Sequence, residues 1–259
     1  MDELLPLRNF FLLFGLCTVR TLAAVSVTPF MSSQLITGIG RNAIVMSWSM
    51  IVYVYVEPTA PEEMGGLLFL IAVLVKEVIL GILIGFFASK IFWVAMSVGF
   101  FIDNQRGATL AQIFDPNSGD QTSPFGILMV NTLLCLFFAG GGFLIFLAGI
   151  FESYRVWPVF DYFPNFPETF PTLLLGEVDS FLRLVVQLAA PIVIIVFLTE
   201  FGLGLVNRFA PQLNVFVLAF SLKSLAAIFV LVLYIPFLFN GLAAPFDTIE
   251  KLVRALAEG

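Results

Sequence analysis

Residues 103–124 read DNQRGATLAQIFDPNSGDQTSP and separate two long apolar runs. Asp103, Asn104, Gln105, Arg106, Gln112, Asp115, Asn117, Asp120 and Gln121 make the stretch polar. Leu110, Ile113 and Phe114 nevertheless give it an apolar body that a loop bathed in water does not need. A long loop of this composition packs on something or moves as a gate. At membrane depth, irregular backbone is tolerated only where protein buries it or it lines a wet cavity. The stretch is therefore the first candidate for function.

Its surroundings call for a membrane. The chain has 259 residues, of which 60% are hydrophobic and 12% charged. Soluble domains average roughly 45–50% apolar and about 25% charged residues. The mean hydropathy is +1.04. Apolar segments fall at about 10–31, 42–56, 67–102, 125–151, 184–206 and 213–239. A spanning helix needs roughly 20 apolar residues, so the fold class is an all-α integral membrane protein with about six apolar helical segments. The segment at 42–56 is short, a half-span or a tilted hairpin arm. The one at 67–102 is too long for a single span and is either one long helix or two tightly joined ones. The acidic start, Met1-Asp2-Glu3, and Arg20 within the first apolar run argue against a cleaved signal peptide.

Composition also removes classes of chemistry. There is no histidine, which excludes Ser-His-Asp and Cys-His catalysis, histidine metal sites and histidine pH switches. Cys17 and Cys135 lie in separate apolar segments and read as small core hydrophobes. No paired carboxylates sit at catalytic spacing, so we expect neither enzyme activity nor a cofactor. The net charge of −6 offers no general basic surface to nucleic acid. Lys and Arg are scattered over nearly every connection, which leaves orientation open.

Connections carry further signals. Residues 155–171, RVWPVFDYFPNFPETFP, are too rich in proline for a continuous helix and suit a membrane–water boundary. Gly140-Gly-Gly142 interrupts the fourth apolar segment and invites a kink or a very tight contact. Gly81, Gly85 and Ser89 recur every four residues, a spacing that lets helix backbones approach closely.

Three charge pairs have helical spacing: Asp103 with Arg106, Glu152 with Arg155, and Asp179 with Arg183. Arg20, Lys76, Glu77, Lys90, Glu200 and Lys223 have no opposite charge three or four residues away, and the adjacent Lys76 and Glu77 are not expected to face each other. Inserting these six side chains would cost roughly 15–20 kcal/mol on the translocon scale. They need partners on other segments, on other subunits, or in a water-filled cavity.

At this point the chain resembles a known family. Gly99-Phe-Phe-Ile-Asp-Asn-Gln-Arg-Gly107, then Asp115-Pro116 and Thr122-Ser-Pro124, is similar to the SctT/FliR family of export-apparatus subunits in bacterial type III secretion systems and flagella. Lys76-Glu77 leading into Gly81 and Gly85, Gly140-Gly-Gly142 with Glu152-Ser-Tyr154 and Trp157-Pro158, and Asn207-Arg-Phe-Ala-Pro-Gln-Leu-Asn-Val-Phe216 with Lys223-Ser224 extend the resemblance from about Arg20 to Tyr234. The wording of DNQRG and RFAPQLNVF looks more like the virulence or symbiosis secretion branch than the flagellar one.

The resemblance implies a single export-apparatus membrane domain over 1–259, in the bacterial inner membrane. Its helices would be arranged as hairpins in a hetero-oligomeric pore with SctR-like and SctS-like subunits. An SctU-like switch protein and an SctV-like export gate would lie nearby, and unfolded secreted proteins would pass through. Residues 103–124 would hold a plug loop, with Arg106, Gly107, Leu110, Ile113, Phe114, Asp115, Pro116 and Gly119 as gate candidates. Lys76, Glu77, Asp103, Gln105, Arg208, Pro211, Gln212, Asn214 and Lys223 are the candidates for polar contacts between subunits. A static space-filling loop, a secondary transporter and another polytopic channel subunit are the competing readings. The transporter predicts internal repeats with paired broken helices, and the sequence shows no convincing repeat.

Overall fold

The computed structural model describes residues 5–32, 35–59, 66–108, 123–161, 170–210, 212 and 215–243. Among them are seven α-helices and no strand. These are α1 (Leu5–Val27), α2 (Gly38–Val56), α3 (Leu67–Arg106), α4 (Pro124–Ala139), α5 (Gly142–Val156), α6 (Phe170–Phe209) and α7 (Val215–Ala243). Five of them, α1, α2, α3, α6 and α7, are long and apolar enough to cross a membrane. The pair α4 and α5 qualifies only jointly. The all-α membrane class expected from the sequence is what the chain adopts.

The short segment at 42–56 is part of a 19-residue helix that starts at Gly38 and is long enough to span, because Thr37 caps it upstream of the apolar run. Two longer segments also differ from the sequence reading. The apolar run at 67–102 is one continuous helix of 40 residues that reaches Arg106. Asp103–Arg106 thus form its last turn rather than the start of a loop, held helical by their own i, i+3 ion pair. The run at 184–206 is the later part of another 40-residue helix starting at Phe170. Its first turns carry Glu177 and the outward pair Asp179 and Arg183, and that polarity hides a helix from a hydropathy count. Pro191 sits inside α6 and Pro236 inside α7; neighbouring contacts in a membrane protein can satisfy the carbonyl each proline frees.

The chain forms two compact units. The first contains α1, α2, α3 up to Lys90, α5 and the turn after it. Its core includes Cys17, Ala24, Phe30, Leu80, Phe146 and Ile150. Phe30 meets Phe146 edge-on, with ring centroids 4.9 Å apart. The four-residue stripe on α3 brings backbones together as its spacing suggests. A Cβ on Gly81 would collide with the Arg20 carbonyl of α1, and one on Gly85 would come within 2.5 Å of the Ala24 carbonyl oxygen. One turn further, Ser89 Oγ lies 3.3 Å from the Val27 carbonyl oxygen.

The second unit contains α3 from Ile91, α4, α6 from Thr172, and α7. Phe92, Val98, Ile102, Met129, Ile192 and Ala227 are among its buried residues. Gly99 on α3 lies so close to the Gly126 backbone of α4 that no side chain fits between them. The glycine run at 140–142 does end α4 and start α5, with Gly141 at φ 76°. Cys17 is buried as expected, but Cys135 points outward from α4, because hydropathy alone does not say which face of an apolar helix is covered.

Candidate functional site

Deep charges that have no partner at helical spacing meet partners on other parts of the chain. In the first unit, Arg20 and Glu77 are both fully buried and form a two-pronged ion pair. Arg20 Nε donates to Glu77 Oε2 at 2.7 Å and Nη2 to Oε1 at 2.8 Å. Nη1 donates to the Ser153 carbonyl at 2.7 Å and to Ser153 Oγ at 3.1 Å, while Nη2 also donates to the Trp157 carbonyl at 2.8 Å. These bonds match the full donor set of a guanidinium. The cation also lies 4.0 Å from the centroid of the Tyr154 ring, and Tyr154 donates its hydroxyl to the Cys17 carbonyl at 2.8 Å.

Lys76 completes this cluster from the other side. Its ammonium donates to the carbonyls of Pro158, Val159 and Asp161 at 2.8, 2.7 and 2.9 Å. It also stands 3.3 Å from Glu77 Oε1, contrary to the expectation that adjacent residues would diverge. The four-carbon stem of lysine lets its head bend back toward the carboxylate even though the two Cα–Cβ bonds point apart. Two cations from α1 and α3 thereby hold the Ser153 carbonyl in the last turn of α5 and the carbonyls of Trp157, Pro158, Val159 and Asp161 just past it.

In the second unit the last turn of α3 meets the first turn of α4. Asp103 is 1% exposed. Its Oδ1 accepts from Arg106 Nε at 2.7 Å. Its Oδ2 accepts from Ser123 Oγ at 2.5 Å and from the Phe125 backbone N–H at 3.0 Å. Ser123 Oγ in turn accepts from the Gly126 N–H at 2.9 Å. The Arg106 guanidinium lies over the Phe125 ring at 4.5 Å. Gly107 leaves α3 at φ 86°, and a Cβ there would reach the Phe220 ring at 2.5 Å. A left-handed glycine just past a helix is the usual C-terminal stop.

The third polar station joins α6 and α7. Lys223, whose side chain is 7% exposed, lies 3.4 Å from Glu200, whose side chain is 53% exposed. An outward apolar groove lined by Leu198, Gly202, Leu222, Leu225 and Phe229 runs beside them. Of the remaining sequence candidates, Gln105 is half-buried, and Arg208 and Gln212 are exposed. Leu110, Ile113, Phe114, Asp115, Pro116, Gly119, Pro211 and Asn214 lie outside the described residues.

Sequence reasoning missed Ser123, Phe125, Ser153, Tyr154 and Trp157 as partners of these charges. Ser123-Pro124 did carry a local signal: serine at a helix N-cap followed by proline at the first helical position. The others contribute mainly backbone carbonyls, an N–H or a ring face, which no residue type announces.

Apolar helices long enough to span a bilayer, with buried ion pairs closing their polar positions, define a polytopic membrane protein. Over residues 11–249 the chain matches the family described as "Bacterial export proteins, family 1", and it belongs to that family. It is 43% identical over 226 residues to the Yop proteins translocation protein T of Yersinia pestis, covering 86% of this chain and 85% of that protein. It is 31% identical over 207 residues to the surface presentation of antigens protein SpaR of Salmonella typhimurium, covering 80% and 76%. With the flagellar biosynthetic protein FliR of Bacillus subtilis the identity is 30% over 184 residues, covering 70% and 71%. The resemblance to the SctT/FliR family is borne out, and the Yop relative is nearer in identity than this flagellar one.

Proposed function

We propose that the chain is a structural and gating subunit of a type III secretion export channel, helping unfolded proteins across the bacterial inner membrane. The observation that carries this reading is the family match over residues 11–249, joined to relatives named for translocation and flagellar biosynthesis. The subunit works with SctR-like and SctS-like partners, and with SctU-like and SctV-like proteins at the channel entrance. It acts by shape and gating, without catalysis or a cofactor. The segment from Arg106 and Gly107 through Leu110, Ile113, Phe114, Asp115, Pro116 and Gly119 is the plug. Its closed contacts need to be favourable by only a few kcal/mol for an entering substrate to shift the balance.

Contacts with neighbouring subunits fall on the outward faces. Glu200 is a half-exposed carboxylate in an apolar helix, a position that lipid disfavours and a neighbouring subunit or a wet lumen accommodates. Exposed Arg208 and Gln212, with Pro211 and Asn214 beside them in sequence, belong to the same face, and the buried Lys223 takes part through its pair with Glu200. Lys76, Glu77 and Asp103 have partners within the chain and would serve assembly through the shape they impose; Gln105 lies next to the plug.

Co-expression with SctR-like and SctS-like subunits followed by purification tests the class: a stable joint complex is expected, and its absence removes the reading. Deleting residues 108–120 tests the plug. Ion leakage through an assembled complex should rise, and unchanged leakage refutes that role.

A further inference from the structure

The carboxylate of Asp103 occupies a position that neither helix capping nor an ion pair alone requires. It is the point where the C-terminal turn of α3 and the N-terminal turn of α4 are bonded to each other. The free N–H groups at the start of a helix need acceptors. Here Pro124 has none to satisfy, Phe125 N–H goes to Asp103 Oδ2, Gly126 N–H to Ser123 Oγ, and Ile127 N–H to the Ser123 carbonyl at 2.9 Å. The Phe125 acceptor comes from the other helix. Ser123 itself is tied to Asp103 by its hydroxyl, so the residue that caps α4 is also held by α3. A negative charge at this helix end is further favoured by the helix dipole.

The remaining oxygen of Asp103 is taken by Arg106, whose guanidinium covers the Phe125 ring. Both oxygens are thus used and the group is shut away from water. Four residues earlier on α3, Gly99 abuts Gly126. The two contacts follow each other on one face of α3, a close backbone crossing and then a bonded clasp. The chain departs from this clasp at Gly107 on one side and at Ser123 on the other.

We infer that Asp103 is a positioning residue that clasps the two stems from which residues 109–122 emerge, fixing the neck of that segment through Ser123 and the Phe125 N–H. The link between this clasp and leakage rests on the plug reading above; the clasp itself does not.

The test uses the complex co-purified with its partner subunits. Spin labels are placed at Asn104→Cys and Ile127→Cys, both exposed, in a Cys135→Ala background. A single narrow distance is expected with Asp103 present, a broadened one with Asp103→Ala, and an intermediate one with Asp103→Asn, which keeps an oxygen for Phe125 but loses the charge that holds Arg106. Ion leakage of the assembled Asp103→Ala complex should rise several-fold, toward that of the 108–120 deletion. An unchanged distance distribution in Asp103→Ala overturns the clasp. Wild-type leakage in Asp103→Ala when the deletion leaks overturns the link between clasp and leakage, and the distance distribution judges the clasp. If the deletion does not leak, the plug reading falls and the distance measurement alone judges the clasp. Should Asp103→Ala fail to accumulate, Ser123→Ala, which removes one arm, is judged by the same criteria with a smaller expected change.

Discussion

Arg20 on α1 and Glu77 on α3, 57 positions apart in sequence, meet as a two-pronged ion pair with no exposure of either side chain. Neither residue has a charge partner on its own helix at helical spacing. Each offsets the penalty of burying the other, and the spare guanidinium donors are taken by carbonyls at the end of α5.

Removing one member of such a pair strands the other. Glu77→Ala or Arg20→Ala is expected to destabilise the protein by about 3–5 kcal/mol. A double replacement by leucine should do less harm than the sum of the singles, because neither Arg20 nor Glu77 is left buried without the other, while Lys76 keeps its three carbonyl acceptors. Thermal unfolding of the purified complex, with Arg20→Leu and Glu77→Leu as the singles that close a double-mutant cycle, checks this. Arg20→Lys should behave nearly as badly as Arg20→Ala, since an ammonium cannot reproduce the fork that binds Glu77, Ser153 and Trp157 together.

Lys76→Met keeps the apolar stem and removes the ammonium. The carbonyls of Pro158, Val159 and Asp161 then lose a shared donor. A buried acceptor left unsatisfied costs about 1–3 kcal/mol. The effect should be local: faster amide exchange and easier proteolysis around 157–161, with α1 and α2 unchanged.

Glycine substitutions should separate by location. Gly81→Ala places a methyl group against the backbone of α1, which cannot rotate aside, and is expected to destabilise by roughly 1–3 kcal/mol. Gly99→Ala should act similarly through Gly126. Gly202→Ala meets open space, and removing a helical glycine there should stabilise by roughly 0.5–1 kcal/mol. Melting temperatures of the three variants decide the order.

Glu200→Gln should change the stability of the chain by no more than about 1 kcal/mol, because its pair with Lys223 is half open. Its expected effect is on assembly, read as weaker co-purification with the partner subunits. Normal assembly would remove Glu200 from the subunit contacts.

Local relationships are legible in the residues alone. Asp103 with Arg106, Glu152 with Arg155, and Asp179 with Arg183 all pair as their spacing indicates. The Gly81–Gly85–Ser89 stripe meets α1, and the glycine run divides α4 from α5. Helix ends are less legible, because the polar last turn of α3 and the polar first turns of α6 look like connections in a hydropathy count.

Composition and short-range periodicity by themselves determined that this is a helical membrane protein and that its deep charges require partners; short motifs such as DNQRG and RFAPQLNVF carried the resemblance to its family. Those properties depend on residue types within a few turns of one another. Only the tertiary structure decided that Arg20 answers Glu77, that Lys76 is held by carbonyls of 158–161, and that Asp103 binds the start of α4. A buried charge states its need for a partner in its chemistry. Which partner it finds depends on how distant helices cross, and here backbone groups supply much of the answer.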